Sequence, residues 1–329
     1  RSAERLPLRE RTVTFRSGDV ELFGKLVLPE GEGPHPAVVV AHGSEATAAS
    51  QYYHEPYLLA PQGIATFVFD KRGTGRSQGR YGMDFPVLAG DVLAAVEWLR
   101  KQPGIDPERV GLTGYSQGGW IAPLAASRSN GAVKFVLVGY GMAEPPSEED
   151  RWETLAELRA KGYGEEEIGK ANEVIRAVEE ILRTELKDGW RTLGQLEKKY
   201  AKEPWLRQMS GMPGAFLRYP HWLLRVLAPS RLPPVRAWFY DPIPVLSTLD
   251  VPMLWLIGGQ DLEAPPEVTI QRLTELRAQG RPVELKVFPT ADHGILEFET
   301  KEGERVYTGY SPDYFQTAIN WLRRQAKLE

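Results

Sequence analysis

Apolar residues recur along this chain at two spacings. Arg11–Phe15 and Val20–Leu28 alternate polar and apolar positions around the turn Ser17-Gly18-Asp19, which predicts a hairpin of half-buried strands. Four later runs, Ala37–Ala41, Ala65–Phe69, Arg109–Thr113 and Val133–Val138, are apolar with little interruption, as strands covered on both faces are. Between them, Tyr57–Ala60 and Asp84–Gln102 show helical spacing, the second through Leu88, Val92, Ala95, Val96 and Leu99. The alternation resumes with a strand at Val251–Ile257, a helix at Pro266–Gln279 and a strand at Val283–Phe288. A small hairpin turning at Lys301–Glu304 and an amphipathic helix over Pro312–Lys327 follow. Strands alternating with helices predict an α/β fold with a mostly parallel, doubly wound sheet covered on both faces.

The stretch from residue 143 to 245 breaks this pattern. Glu148–Glu203 is charged and helical, with one apolar stripe at Ile168, Ala171, Val174, Ile175, Val178, Ile181 and Leu182, interrupted at Asp188-Gly189. Pro204–Pro244 is rich in aromatics and proline. We expect residues 1–142 and 246–329 to form one catalytic domain and 143–245 an inserted helical cap. The insertion leaves from a strand's carboxyl end, where α/β sheets bind ligands; an extra helical layer away from the site is the alternative. Trp205, Trp222 and Trp238 are the candidate pocket residues, suited to an apolar acyl or aryl group.

Composition narrows the function. The 329 residues carry 40 basic and 44 acidic side chains, a net charge of −4, with no basic tract for nucleic acid. No apolar run is long enough for a membrane span. Cysteine is absent, which removes thiolate metal sites and cysteine nucleophiles. The sequence begins at Arg1 rather than methionine; we expect a soluble protein, cytoplasmic or exported after loss of a leader.

The chemistry centres on Gly114-Tyr115-Ser116-Gln117-Gly118, between a predicted strand and the helical segment Trp120–Ala126. A strand, G-x-S-x-G and a helix together make the turn that holds a nucleophilic serine; glycine and serine are common enough to form an ordinary turn by chance. A serine hydroxyl needs a general base. Of five histidines, His293 lies beyond the carboxyl end of the last predicted central strand. Asp261, after the preceding strand, is the candidate orienting acid. Glu263 is in reserve, and Asp292 is disfavoured because neighbouring side chains in an extended segment point opposite ways. The chain order Ser116, Asp261, His293 is the one expected for this arrangement. Oxyanion donors are expected from the N–H of Gln117 and from the His42-Gly43-Ser44 loop, with Ser44 first and Glu45 second. The glycines of Asp70–Ser77 lack a phosphate-loop context and read as a structured turn.

Together His42-Gly43-Ser44, Asp70–Ser77, Gly114–Gly119, Gly259-Gln260-Asp261 and Asp292-His293-Gly294 resemble the α/β-hydrolase superfamily over the whole chain except the insertion. The chain looks most like bacterial serine carboxylesterases related to the dienelactone-hydrolase and acyl-aminoacyl-peptidase branches. It lacks the His-Gly-Gly-Gly form of another lipase branch. The resemblance implies a serine esterase acting on a small-molecule ester, with no metal and no organic cofactor. An amidase, peptidase or acyltransferase would share the same triad, and a non-catalytic receptor on this fold is a further class.

Overall fold

The computed structural model describes residues 8–227, 234–264 and 266–328. Parts of the expected domain spans, residues 1–7, 228–233, 265 and 329, lie outside the described residues. The strands of the main sheet are β1 (Arg9–Ser17), β2 (Val20–Leu28), β3 (His35–Ala41), β4 (Ala65–Phe69), β5 (Ile105–Tyr115), β6 (Val136–Gly139), β7 (Met253–Gly258) and β8 (Val283–Phe288). They lie in the order β1-β2-β4-β3-β5-β6-β7-β8. β1 and β2 form the predicted antiparallel hairpin, in register from Arg9 opposite Leu28 to Ser17 opposite Val20. From β4 to β8 every neighbouring pair is parallel. A small second sheet of β9 (Ala291–Asp292), β10 (Leu296–Lys301) and β11 (Glu304–Tyr310) follows β8.

The two-residue period of a strand explains the two cores. Ala37, Val39 and Ala41 of β3 face one side, with Phe67 of β4 and Trp255 of β7, against the helices Phe85–Leu99, Gly118–Ser127 and Pro266–Ala278. Val38 and Val40 face the other side, with Leu137, Leu254 and Leu256, against the closing helix Tyr314–Gln325 through Trp321 and Leu322. The mostly parallel, doubly wound sheet expected from the pattern is the architecture observed. β5 is longer than its apolar run, because Ile105 also pairs with His35 at the entry to the sheet.

Between β6 and β7 the chain builds helices Pro146–Ala160, Glu165–Arg183, Trp190–Lys199 and Gly211–Arg218, followed by shorter ones. They enclose a core of their own. The predicted stripe of Glu165–Arg183 is its buried face. A break that the charge pattern conceals separates the first two helices, where Gly162, at φ 90°, turns the chain left-handed. Ala237 and Leu246 have already rejoined the main core.

Candidate active site

Backbone crowding fixes the turn that carries Ser116. Ser116 adopts φ 51°, in the left-handed region, at the end of β5. A β-carbon on Gly114 would lie 2.3 Å from the Gly118 carbonyl oxygen, and one on Gly118 would lie 2.0 Å from that of Ala41. Only glycine fits at either position. The Ser116 N–H donates to the Gly139 carbonyl at 3.0 Å, and the Ser116 carbonyl accepts from Gly119 N–H at 2.7 Å. The hydroxyl is thereby raised above the sheet, with Gln117 at the helix N-cap, where N–H groups have no intrahelical acceptor.

The loops after β7 and β8 bring Asp261 and His293 to this serine. His293 Nε2 lies 3.3 Å from Ser116 Oγ, and Nδ1 lies 2.8 Å from Asp261 Oδ2. Asp261 is buried, and its second oxygen accepts from Ala264 N–H at 2.8 Å, which pins the carboxylate. Burial works against a charge on His293, but the Asp261 hydrogen bond and the Asp261, Glu263 and Asp292 charges outweigh it and raise the imidazole pKa above its ordinary value. Such a chain lets an imidazole take a proton and stay paired once charged.

The two other carboxylates considered are placed differently. Glu263 approaches the opposite ring nitrogen, Nε2, at 3.6 Å. Asp292 accepts from the backbone N–H groups of His293 and Leu262, at 2.8 and 3.2 Å. Its other oxygen meets Arg305 at 2.5 Å and Tyr307 at 3.1 Å. Burial opposes that charge, yet Arg305 and the N–H donors hold its pKa below the usual carboxylate range.

The loop after β3 closes the other side. Gly43 sits so near Ser116 that a β-carbon there would lie 3.6 Å from Ser116 Cβ. Its N–H is taken by Tyr53 Oη at 3.0 Å, so the next N–H along, that of Ser44, is the loop's candidate donor. The Ser44 carbonyl accepts from Tyr81. Glu45 turns inward: its Oε1 accepts from Tyr53 at 2.7 Å and from His42 Nδ1 at 2.9 Å. Burial lowers the His42 pKa, and hydrogen bonding to His42 helps hold the Glu45 carboxyl at about 2 against its own burial.

The reading of Asp70–Ser77 as a turn matches its structure: buried Asp70 accepts from the N–H groups of Ser50 and Arg76. Sequence reasoning passed over Lys71, the buried cation beside it, which donates to Gly43 and Gln117. It also passed over Tyr140, whose ring meets the His293 ring edge-on at 4.9 Å. The available signals were a lysine two residues beyond a buried strand and an aromatic at the carboxyl end of another.

The insertion's first helix lies beside this cleft. Arg272, on the helix after β7, holds the Ala143 carbonyl and Glu148, at 2.9 and 2.8 Å. Glu153 is close enough to feel Glu263 and His293; burial, then repulsion from Asp150, lifts its carboxyl to about 7. Of the three tryptophans, Trp205 and Trp238 are buried within the insertion's own core, while Trp222 is 68% exposed.

A family model described as X-Pro dipeptidyl-peptidase (S15 family) matches residues 17–294. Esterase EstD of Thermotoga maritima is 25% identical over 291 residues, covering 85% of this chain and 59% of that protein. Thiohydrolase aneE of Aspergillus aculeatus is 39% identical over 109 residues, 32% of this chain and 34% of that protein. Acylaminoacyl peptidase from Pyrococcus horikoshii superposes with a TM-score of 0.60 at 18% identity, over 98% of this chain and 42% of that one. The α/β hydrolase GrgF from Penicillium sp. sh18 does so with a TM-score of 0.59 at 17% identity, over 98% and 100%. The two structural likenesses are of fold, and this chain spans about a third of the thiohydrolase and less than half of the peptidase. No helix among the described residues is long and apolar enough to cross a membrane. The family match runs from β1 through the strand-end loops to His293, and the chain belongs to the X-Pro dipeptidyl-peptidase (S15) family of α/β hydrolases.

Proposed function

We propose that this hydrolase is a serine esterase working through an acyl-enzyme on Ser116. The observation that carries the reading is the chain from Ser116 Oγ to His293 Nε2 at 3.3 Å and from Nδ1 to Asp261 at 2.8 Å. In this mechanism Ser116 Oγ attacks the ester carbonyl carbon while its proton passes to His293 Nε2. Asp261 holds the tautomer and stabilises the imidazolium. The carbonyl oxygen, now negative, accepts from the N–H groups of Gln117 and Ser44. The C–O bond then breaks, His293 returns the proton to the leaving alcohol, and water repeats the sequence to release the acid.

The substrate in this reading is a small ester with an apolar acyl or aryl group. The insertion, residues 143–245, acts as a cap forming one wall of its pocket. Trp205 and Trp238 support that wall from behind, and Trp222 acts from the surface. Relatives named as an esterase and a thiohydrolase support acyl chemistry.

A peptidase reading is favoured by the family description and by carboxylates near the nucleophile, Glu153 and Glu263, that suit a substrate ammonium group. The test is a fluorophosphonate label read by mass spectrometry, with p-nitrophenyl esters of graded length run beside X-Pro anilides with free and blocked amines. Labelling on Ser116 with ester turnover well above anilide turnover is the expected result. No adduct on Ser116 in folded protein removes the mechanism, and preference for the free-amine anilide replaces esterase with peptidase.

A further inference from the structure

Beneath the nucleophile, one buried cation joins the two segments that flank it. Lys71 lies two residues beyond the end of β4, in a small recess between β3, β4 and the helices Phe85–Leu99 and Gly118–Ser127, beside Leu88, Val92 and Ile121. Its ammonium donates to the Gly43 carbonyl oxygen and to Gln117 Oε1, the latter at 2.6 Å. Removing a charge from water is costly unless it is paired, and both of these acceptors are neutral. The carboxylates around it are engaged elsewhere. Glu45 is bonded by His42 and Tyr53, Asp91 by Arg72 at 2.7 and 2.5 Å, and Asp70 by backbone N–H groups. An apolar side chain of this length would fill the same recess at less cost, so packing does not explain a cation here.

Its two contacts do. The Gly43 carbonyl and the Ser44 N–H belong to one peptide group. A positive charge on that oxygen withdraws electron density through the amide and strengthens the N–H as a donor, as in any hydrogen-bonded chain at low dielectric. Gln117 Nε2 is buried with no hydrogen-bond partner, so Lys71 is what orients the Gln117 amide. We propose that Lys71 is a positioning residue for acyl transfer at Ser116: it polarises the Gly43–Ser44 peptide and fixes Gln117, so that both N–H groups meet the developing oxyanion strongly and in register. This rests on the esterase reading above.

The charge is adjustable. Burial pushes the Lys71 pKa down to about 7, against the pull of Glu45. The groups around it are His42 and Glu45 from the loop after β3, Tyr53 bonded to Glu45, Asp70 and Arg72 from the turn after β4 and Asp91 from the helix Phe85–Leu99. Activity therefore rises as His293 becomes neutral and falls on the alkaline side as Lys71 loses its proton.

The test uses Lys71→Met and Gln117→Glu in the full chain, with a p-nitrophenyl ester and an alkyl trifluoromethyl ketone, whose hemiketal on Ser116 carries an oxyanion. In Lys71→Met we expect kcat to fall by roughly 10- to 100-fold, less than the loss of an oxyanion donor outright. KM should stay within about twofold, because ground-state contacts are untouched. Affinity for the ketone should fall by the same factor as kcat/KM, and the alkaline limb of the pH profile should vanish. In Gln117→Glu the new carboxylate stabilises the ammonium, so that limb moves to higher pH. A folded Lys71→Met with wild-type kcat and ketone affinity overturns the proposal. If that variant does not fold, an unmoved alkaline limb in Gln117→Glu overturns it. Fluorophosphonate on wild-type Ser116 separates the two failures. Without an adduct the esterase reading falls and takes this inference with it; with one, unaffected Lys71→Met kinetics sinks the inference alone.

Discussion

At Gly114 and Gly118 there is no room for a β-carbon, whereas the helix Glu165–Arg183 buries a stripe of apolar side chains. These two regions hold their shape by different means. The surroundings of Ser116 are set by backbone touching backbone, at distances a methyl group would violate. The insertion is held by an amphipathic stripe and a separate aromatic core. Carboxylates are held in two ways. Around the sheet Asp91 and Asp292 are paired with Arg72 and Arg305. In the insertion Glu144, Asp150 and Glu153 are lifted to about 7 by burial.

The sharpest way to break this comparison lies around Ser116. Asp261→Asn should lower kcat by up to about ten-thousandfold, since it supports the wrong tautomer of His293. Asp292→Asn should cost within about tenfold, because Asp292 holds backbone and Arg305 rather than the His293 ring. Steady-state kinetics on both variants decides, and the reverse ranking would overturn the roles assigned to the two aspartates.

Next in size is Gly118→Ala, where the added methyl meets the Ala41 carbonyl. A displacement of this turn by even 1 Å should cost about a hundredfold in kcat, with the fold retained by circular dichroism. Full activity would mean that the turn yields freely and is not rigid.

In the insertion, Trp205→Ala should destabilise by roughly 3–5 kcal/mol as a large buried side chain is lost. It should also alter ester chain-length preference more than Trp222→Ala does. Denaturant melts and the ester panel read both effects. An unchanged preference in Trp205→Ala would make the insertion a structural layer and not a pocket wall.

The smallest effect is electrostatic. Glu144 is fully buried; Oε2 accepts from Thr269 at 2.6 Å and Oε1 has no partner. Its carboxyl is raised to about 7 in the folded state from an ordinary 4.5. In that interval the unfolded chain loses the proton first, so stability falls as pH rises from about 4.5 to about 7 and then levels off. Glu144→Gln keeps the Thr269 contact and carries no proton to lose. Its Tm should match wild type near pH 4 and exceed it by a few degrees at pH 8, by thermal melts across that range. A gain that shrank with pH would refute the sign.

Much of this was legible in the sequence. The unbroken apolar runs of β3, β4, β6 and β7, the alternation of β1 and β2 and the longer period of the helices between them are nearly enough for an α/β sheet. Ser116, Asp261 and His293 could be named because each follows a strand that must end on the same edge. What the sequence leaves open is which groups touch. That His293 presents Nδ1 to Asp261 and Nε2 to Ser116, while Asp292 turns to Arg305, depends on loops packed from four strands. Lys71 reads as one cation of a polar turn, and only burial under Gly43 and Gln117 makes it part of the site. The tryptophans show the same limit. Trp205, Trp222 and Trp238 are alike in a hydropathy pattern, yet two are interior and one faces solvent. An aromatic-rich segment demands burial somewhere, but whether against its own helices, the sheet or a ligand is settled by the partners that tertiary packing supplies.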